Sequence, residues 1–484
     1  MNNSFPIENL LLDRNASENL HRQLYLQLRG LIEKRILPSG SALPSTRLLA
    51  KDLNLGRNTV ISAYEQLALE GFLTMCRGTP PLVSGLPAFT PSTKWVNTLS
   101  KKTLSKRGRQ MCLQPFHEGR PGLTAFHPGL PDADNFPFNT WSRLLARRAK
   151  QARTELFGTY HITGYPPLRE AIARYLAASR GVNCQPEQII ITNGAQSAFD
   201  LLARLLTDPG DPVWMEEPGY YGARAAFVGA GAKLMPLNVG VDGWNFDPPE
   251  VPPRVIFVTP SCHYPMGITM TMEQRLNLVQ MADKWKSWIL EDDYDSEYRF
   301  QGQPIPALQG IAAASRVAFV GTFAKILFPA MRLGYMVVPM AARENFAAAL
   351  SSTGQFAPLI TQAALADFIN EGHLSRHLRR MRRIYAERRR FFMEQFDRHL
   401  GQWMELPRTD SGIQLVGLFR NKCDDRKIAA RAAKNNVNVS PLSMQFRHGT
   451  PLKGLLFGFA AADEKTTKLA IQRLEHILSE EAKT

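Results

Sequence analysis

The sequence predicts an α/β protein with a small helical domain at its N-terminus and a larger domain built on a mostly parallel sheet. The chain has 484 residues, and because one hydrophobic core rarely supports that length, at least two domains are expected. Residues 20–69 carry apolar positions every three or four residues, as amphipathic helices do. From about residue 123 onwards, helical patterns alternate with short apolar strands.

Composition places the chain among soluble globular proteins, since 44% of its residues are hydrophobic and 21% are charged. Its 5 cysteines include no CxxC pair, so neither a disulfide framework nor a metal site is expected. The N-terminus lacks a basic start followed by an apolar stretch, and no apolar run of about 18 residues occurs. We therefore expect a cytoplasmic protein that does not enter a membrane.

The positive charge is concentrated between the two patterned regions. The formal net charge is +15, and residues 89–122 carry 7 Lys/Arg against 1 Asp/Glu. This stretch has little apolar periodicity, which is typical of a flexible basic linker. We therefore predict a first domain over residues 1–88, a linker over 89–122 and a second domain over 123–484. A solvated tether and direct contact with phosphates are both open interpretations of the linker.

Three helices and a short hairpin are predicted in the first domain. Apolar spacing predicts helices over residues 20–36 and 57–69. Between them, Ser45 follows a proline and is placed to cap a short helix that ends near residue 54. The segment after the third helix predicts a two-stranded wing with Arg77 near its tip.

The third helix has the features of a helix that reads DNA. Its apolar residues Val60, Tyr64 and Leu67 lie on one face. The outward residues near its start are polar: Arg57, Asn58, Thr59 and Ser62. A helix entering the major groove presents its N-terminal side chains to the bases, and Arg and Asn suit guanine and adenine. An ordinary three-helix bundle is the alternative.

The stretch LPSTRLLAKDLNLGRNTVISAYEQLALEGFL resembles the winged helix-turn-helix of the GntR family. The resemblance implies that DNA is contacted by Arg47, Arg57, Asn58 and Thr59, with Ser45 and Arg77 touching phosphates or the minor groove. Gly56 stands where such proteins often have a capping serine. The wing reads CRGTPPLV, and because two prolines cannot donate to a strand ladder, a distorted wing is expected.

In the larger domain, short apolar segments predict the strands of the sheet. They are residues 189–192, 213–215, 255–259, 288–290, 317–323 and 333–338. Because ligands bind at the carboxyl ends of strands in such sheets, the residues after each strand are candidates for a site.

The residues after three of these strands match the needs of a pyridoxal 5'-phosphate site. Such a site needs a lysine amine, an acid for the ring nitrogen, a hydroxyl near the ring hydroxyl, and donors for the phosphate. Lys325, Asp292 and Tyr294 supply the first three. Phosphate donors come from Arg332 and from the turn Gly194, Ala195 and Gln196, which opens a predicted helix.

The segments GTFAKILFPAMRLGY, EDDYDSE, TPSCHYPMG and GYPPLREAIA resemble fold type I aminotransferases. With the DNA-binding domain and the linker, nearly the whole chain resembles the MocR/GabR subfamily of GntR regulators. The resemblance implies a homodimer that holds pyridoxal 5'-phosphate. It assigns the Schiff base to Lys325, the ring nitrogen to Asp292, the ring hydroxyl to Tyr294, the phosphate to Arg332 and Thr322, and ring stacking to Tyr220. A core aromatic is the alternative for Tyr220.

Two functions are compatible with this resemblance. One is a regulator of a DNA operator that senses a small amine, an amino acid or the cofactor level. The other is a working aminotransferase with an appended DNA reader. Leu456 stands where aminotransferases carry an arginine that binds the ligand carboxylate, and Arg224 and Arg447 are expected to be surface charges rather than substitutes. The DNA-binding domain and Leu456 favour the regulator, and residual transamination is left open.

Overall fold

The computed structural model describes residues 5, 7–76, 78–84, 104–112, 125–151, 153–302, 305–311 and 316–481. Arg77 and most of the predicted linker lie outside the described residues. The chain divides into two compact units, Met1–Ser100 and Lys101–Thr484.

The first unit contains the predicted helices and hairpin. Its elements are α1 (Leu20–Glu33), α2 (Thr46–Asp52), α3 (Arg57–Leu69), β1 (Leu73–Thr74) and β2 (Leu82–Val83). Helix α3 begins and ends at the predicted residues. The Ser45 hydroxyl caps α2 by accepting a hydrogen bond from the Leu48 amide at 3.2 Å. The two strands pair antiparallel over two residues each, so the predicted wing is present and short.

The apolar face of α3 holds the first unit together. Val60, Tyr64 and Leu67 are fully buried. The Tyr64 hydroxyl donates to the carbonyl of Pro44 at 3.0 Å, which joins α3 to the turn before α2. Because this face is committed to the core, the polar residues at the start of α3 point outward.

The second unit alternates helices and strands. Its helices are α4 (Lys106–Met111), α5 (Phe138–Gln151), α6 (Arg153–Phe157), α7 (Pro166–Arg180), α8 (Ala195–Leu206), α9 (Tyr221–Ala230), α10 (Met272–Trp285), α11 (Leu308–Ile311), α12 (Arg343–Thr353), α13 (Leu359–Asn370), α14 (His373–His399), α15 (Asp425–Lys434) and α16 (Glu464–Glu481). Its strands are β3 (Ile189–Thr192), β4 (Pro212–Glu217), β5 (Lys233–Gly240), β6 (Gly243–Trp244), β7 (Val255–Val258), β8 (Trp288–Asp293), β9 (Val317–Thr322), β10 (Gly334–Val337), β11 (Met404–Glu405), β12 (Gln414–Phe419), β13 (Ser440–Pro441) and β14 (Gly454–Gly458).

The main sheet has eight strands in the order β3-β10-β9-β8-β7-β4-β5-β6. All six predicted strands belong to it. The adjacent strands β9, β8, β7, β4 and β5 are all parallel to one another. Strand β10 is antiparallel to both of its neighbours, β3 and β9. The prediction of a mostly parallel sheet is confirmed. The antiparallel β10 brings the segment before it to the edge where β3, β8 and β9 end.

Both faces of this sheet are buried, which explains its nearly continuous apolar strands. In β8, Leu290 packs with Phe199 of α8 on one face. Its neighbour Ile289 packs with Leu278 of α10 on the other. Successive side chains of β8 alternate between two buried apolar faces. The polar residues of β8 therefore lie at its carboxyl end, where the strand leaves this apolar environment.

A second, antiparallel sheet in the order β11-β12-β14-β13 follows α14. The sequence patterns considered above did not predict it. Leu456 of β14 lies directly opposite Val416 of β12, and Gln414 lies opposite Gly458. Within the predicted linker, α4 is a helix whose end contacts α9: Met111 lies beside Gly229. Among the described residues, no helix has the length and apolarity needed to cross a membrane.

Replacing Ser45 with alanine tests the cap on α2. We expect Ser45→Ala to lower the free energy of opening α2 by about 0.5–2 kcal/mol, because the Leu48 amide loses its acceptor. Hydrogen exchange of the α2 amides measures this. The exposed Ser62 in the middle of α3 is the matched control, and its alanine variant should change stability by no more than about 0.5 kcal/mol. Equal exchange in both variants would contradict the cap assignment.

Candidate functional site

Lys325 lies just beyond the carboxyl end of β9 and is half-buried. Its Nζ donates a hydrogen bond to the carbonyl oxygen of Gly129 at 2.7 Å. Gly129 has a φ of +65°, and a Cβ there would lie 2.4 Å from Nζ. Glycine suits this positive φ and leaves room for the end of the lysine side chain. The sequence analysis did not identify Gly129, because the contact joins residues far apart in the chain.

Burial lowers the pKa of the Lys325 amine, and the carboxylates Asp295 and Asp292 partly oppose the shift. A lowered pKa increases the fraction of neutral amine, which is the form that attacks an aldehyde. Asp295 is fully buried, and burial raises the pKa of its carboxyl to about 7. The amine of Lys325 therefore lies within electrostatic range of two buried acids.

Asp292, at the carboxyl end of β8, is a buried acid whose Oδ1 accepts no hydrogen bond from the described residues. Burial, followed by the neighbouring Asp293 and Glu216, raises the pKa of Asp292 well above its usual range. Asp293 instead pairs with the buried Arg180 at 2.7 Å. Buried carboxylates without partners are costly, so Asp292 suits a ligand group that carries a proton.

An anion site is formed where β3 meets α8. Gly194, with a φ of +81°, is the N-cap of α8. The Arg332 guanidinium lies 3.6 Å from the Cβ position of Gly194 and donates to the carbonyl of Asn193 at 3.3 Å. Arg332 itself has a φ of +49°, which is uncommon for a residue with a side chain. A helix N-terminus beside a guanidinium suits a phosphate.

Close packing of β10 supports this anion site. A Cβ on Gly334 would lie 2.9 Å from the carbonyl carbon of Gly194 and 3.0 Å from the amide nitrogen of Ala195. Thr322 ends β9 opposite Gly334, and its hydroxyl accepts a hydrogen bond from the Ala324 amide at 3.2 Å. The backbone of the turn at Gly194 and Ala195 therefore packs directly against Gly334, where a side chain would not fit.

Aromatic rings line the side of the site next to α9. Tyr220 is half-buried, and its ring centroid lies 5.4 Å from Tyr264, edge to face. Tyr264 in turn lies 6.2 Å from Tyr294. The Tyr294 hydroxyl donates to Cys262 Sγ at 3.6 Å. Gln196 donates to the carbonyl of Gly222 at 2.8 Å. This bond joins α9 to the turn formed by Gly194, Ala195 and Gln196, called the anion turn below.

The structure brings all nine predicted cofactor residues to the carboxyl edge of the sheet. They are Lys325, Asp292, Tyr294, Arg332, Tyr220, Thr322, Gly194, Ala195 and Gln196. Three neighbours of the lysine were not identified from the sequence: Gly129, Asp295 and Gln414. Asp295 could have been found in the EDDYDSE segment, whereas Gly129 and Gln414 lie on remote segments without a local signal.

The predicted DNA-contacting residues lie on the surface of the first unit. Arg57 and Asn58 are exposed in the first turn of α3, where Thr59 is half-buried. Arg47 is exposed at the start of α2, next to the exposed cap Ser45. The sixth predicted contact, Arg77, falls outside the described residues.

The expectation that Arg224 is a surface charge is wrong. Arg224 is buried and donates to the carbonyl of Gln445 at 2.8 Å, with the Glu217 carboxylate at 4.0 Å. Helix α9 turns this side chain inward, against the segment before β14. Arg447 is exposed, as expected. Leu456 is fully buried.

The fold and the site define a protein that joins a helix-turn-helix domain to an aminotransferase-like domain. Residues 20–83 match the family described as bacterial regulatory proteins, gntR family, and residues 130–474 match aminotransferase class I and II. The chain is 48% identical to the probable rhizopine catabolism regulatory protein MocR of Rhizobium meliloti, over 96% of this chain and 95% of the relative. The chain belongs to the MocR/GabR subfamily of GntR transcription regulators.

Two further proteins are similar to this chain. One matches nearly its whole length, and the other matches the larger domain. The pyridoxine biosynthesis transcriptional regulator PdxR of Corynebacterium glutamicum is 30% identical over 97% of this chain and 98% of that protein. The crystal structure of the α-aminoadipate aminotransferase LysN of Thermus thermophilus has a TM-score of 0.72 at 26% identity. It covers 78% of this chain and 98% of that one, and it holds N-(5'-phosphopyridoxyl)-L-leucine.

The residues of this chain fit pyridoxal 5'-phosphate on three observations. The amine of Lys325 lies near the carboxylates of Asp295 and Asp292, and burial lowers its pKa. The orphaned Oδ1 of Asp292 suits a protonated ring nitrogen. The turn at Gly194 presents a helix N-terminus and a guanidinium to a phosphate.

Replacing Gly334 with alanine tests the support beneath the anion turn. We expect Gly334→Ala to lower the free energy of unfolding by about 1–3 kcal/mol, because its Cβ would meet backbone atoms that have little room to move. Urea unfolding measures this. A Cβ on Gly240, at the exposed end of β5, would meet nothing within 4 Å. Gly240→Ala is thus the control, and equal stability of both variants would contradict the packing argument.

Proposed function

We propose that this transcription regulator binds pyridoxal 5'-phosphate through Lys325 and changes its operator binding when that site is occupied or altered. One observation carries the proposal. The half-buried Lys325 amine lies near Asp292, whose Oδ1 has no hydrogen-bond partner among the described residues, on a chain that also exposes Arg57 and Asn58 in the first turn of α3. The ligand is a small primary amine, an amino acid or the cofactor itself.

Each predicted residue has a role in holding the cofactor. Lys325 would bond it covalently, Asp292 would hold the proton on the ring nitrogen, Tyr294 would bond the ring hydroxyl, and Tyr220 would stack on the ring. The phosphate is bound by Arg332, Thr322, Gly194, Ala195 and Gln196. When bound, the cofactor supplies an electrophilic carbon that primary amines attack. Asp292 would keep the ring nitrogen protonated, and this charge would strengthen the electrophilic carbon.

Residues 1–88 form the DNA-reading domain, residues 89–122 the linker and residues 123–484 the sensing domain. The protein acts in the cytoplasm as a homodimer, so that two copies of α3 read repeated half-sites in the operator. Base contacts are assigned to Arg47, Arg57, Asn58 and Thr59, and backbone or minor-groove contacts to Ser45 and Arg77.

Signalling requires that the ligand bind two states of the sensing domain with different affinities. The names of two relatives refer to rhizopine catabolism and to pyridoxine biosynthesis. A catabolic metabolite and the cofactor level are therefore both candidates here. The buried Leu456 disfavours efficient turnover of amino acids, so sensing is preferred over transamination.

Covalent labelling tests the role of Lys325. After borohydride reduction and digestion, we expect the phosphopyridoxyl group on Lys325, because burial keeps a larger fraction of this amine neutral than of exposed lysines. Peptide mass spectrometry locates the label. Lys325→Ala should keep operator affinity in gel-shift or fluorescence assays, since the first unit has its own core, but lose the response to the ligand. A label on another lysine, or an unchanged response, would refute the assignment.

Replacing Arg57 tests the DNA-reading helix. Arg57→Ala should cost about 1–3 kcal/mol of specific operator binding, as expected for the loss of a contact to a guanine edge. Titration of operator and scrambled DNA at fixed salt measures the difference. Arg22→Ala, on the exposed face of α1, is the control and should leave the ratio of the two affinities unchanged. If the Arg57 variant kept the parent's ratio of affinities for operator and scrambled DNA, the assignment of α3 as the DNA-reading helix would be wrong.

A further inference from the structure

A neutral wall lies on the side of Lys325 formed by the second sheet. Gln414 of β12 and Lys325 flank the same glycine: a Cβ on Gly129 would lie 2.4 Å from Lys325 Nζ and 3.7 Å from Gln414 Oε1. The side chains of Lys325 and Gln414 therefore both lie beside Gly129.

The side-chain amide of Gln414 has an unsatisfied hydrogen-bond donor among the described residues. Its side chain is 3% exposed, and its buried Nε2 has no hydrogen-bond partner among the described residues. A buried amide left unpaired costs free energy, so a ligand atom that accepts a hydrogen bond there would be favoured.

Beyond Gln414 the wall is apolar. Val416 lies on the same face of β12, two residues along, and pairs with Leu456 of β14. Val416 and Leu456 form a buried cluster with Met266 and Leu442. Tyr264 packs against this cluster and also contacts the rings of the cofactor site, so the cluster borders the ligand space.

Of the described cations near this space, Arg332, Arg224 and Arg180 are each held by other groups. Arg332 lies at the anion turn. Arg224 donates to the carbonyl of Gln445, and Arg180 pairs with Asp293. A carboxylate on the ligand would meet apolar side chains, together with the nearby acids Asp292 and Asp295. Placing an unpaired charge there is unfavourable.

We propose that the ligand sensed at this site is a primary amine without a carboxylate, bearing an uncharged oxygen that accepts a hydrogen bond from Gln414. This inference rests on the proposed function, because it assumes that Lys325 and the cofactor define the ligand space. It narrows the ligand class from amines and amino acids to amino alcohols and related neutral amines.

Matched pairs of ligands test the class directly. The full-length protein carrying the cofactor is titrated with ethanolamine against L-serine, 1-amino-2-propanol against L-threonine, and propylamine against L-2-aminobutyrate. Each pair differs only by a carboxylate. The absorbance of the bound cofactor reports binding. We expect each amine to bind about tenfold or more tightly than its amino acid, and the amino alcohols to bind more tightly than propylamine.

Two variants separate the contributions of the wall. Leu456→Arg should shift the affinity ratio towards serine by about tenfold. Arginine at Leu452, which is 42% exposed just before β14, is the matched control and should leave the ratio unchanged. Gln414→Leu should weaken ethanolamine several-fold and leave propylamine unchanged, a difference that a purely structural role would not produce. Thermal melting verifies that each variant is folded.

The outcomes distinguish this inference from the proposed function. If the protein lacks the cofactor absorbance or the Lys325 label, the proposed function fails and this inference falls with it. If the cofactor is bound on Lys325 but amino acids bind as tightly as their amines, only the ligand class is overturned. Absence of a spectral response to both members of every pair would likewise overturn the ligand class. Since the parent protein alone decides this comparison, a misfolded Leu456 variant does not affect the result.

Discussion

The sensing domain depends on the burial of one amine beside buried acids. Lys325 is half-buried, and the carboxylates Asp295 and Asp292 lie within electrostatic range of its amine. A cation in this place would be stabilised by the acids and destabilised by desolvation, and the second effect is larger because the pKa of the amine falls. The lowered pKa increases the neutral fraction of this amine, while Oδ1 of Asp292 has no hydrogen-bond donor among the described residues.

The rest of the domain maintains this balance through close backbone packing. Gly129 lets the chain approach the amine, and Gly334 lets β10 lie against the turn at Gly194. The antiparallel direction of β10 brings Arg332, which precedes it, to the edge where β3, β8 and β9 end. Charge and shape therefore converge at the carboxyl edge of the sheet, where parallel strands leave their polar ends.

Sensing and catalysis place different demands on such a site. An aminotransferase must hold its substrate carboxylate and then release a product, whereas a sensor needs only a ligand that distinguishes two states. In this chain the wall next to the amine combines an unpaired amide donor, Gln414, with the apolar Val416 and Leu456. These three side chains carry no charge, so this wall lacks a cation of the kind with which an aminotransferase holds a substrate carboxylate.

The sequence by itself determined the elements whose signals are local. Helix α3 was predicted to the residue, because its apolar stripe and polar start are both encoded within thirteen residues. The six predicted strands were identified for the same reason, because each is a short apolar run, and the candidate site residues were then sought next to the strand ends.

Only the tertiary structure decided what depends on distant segments. Gly129, which accepts a hydrogen bond from Lys325, lies 196 residues before it in the chain. Gln414, which also lies beside Gly129, belongs to β12 of the second sheet. Helix α9 turns Arg224 inward towards Gln445, where composition alone predicted a surface charge. The direction of β10 and the apolar neighbours of Leu456 follow from strand pairing, and pairing partners far apart in the chain leave no periodic signal in either segment.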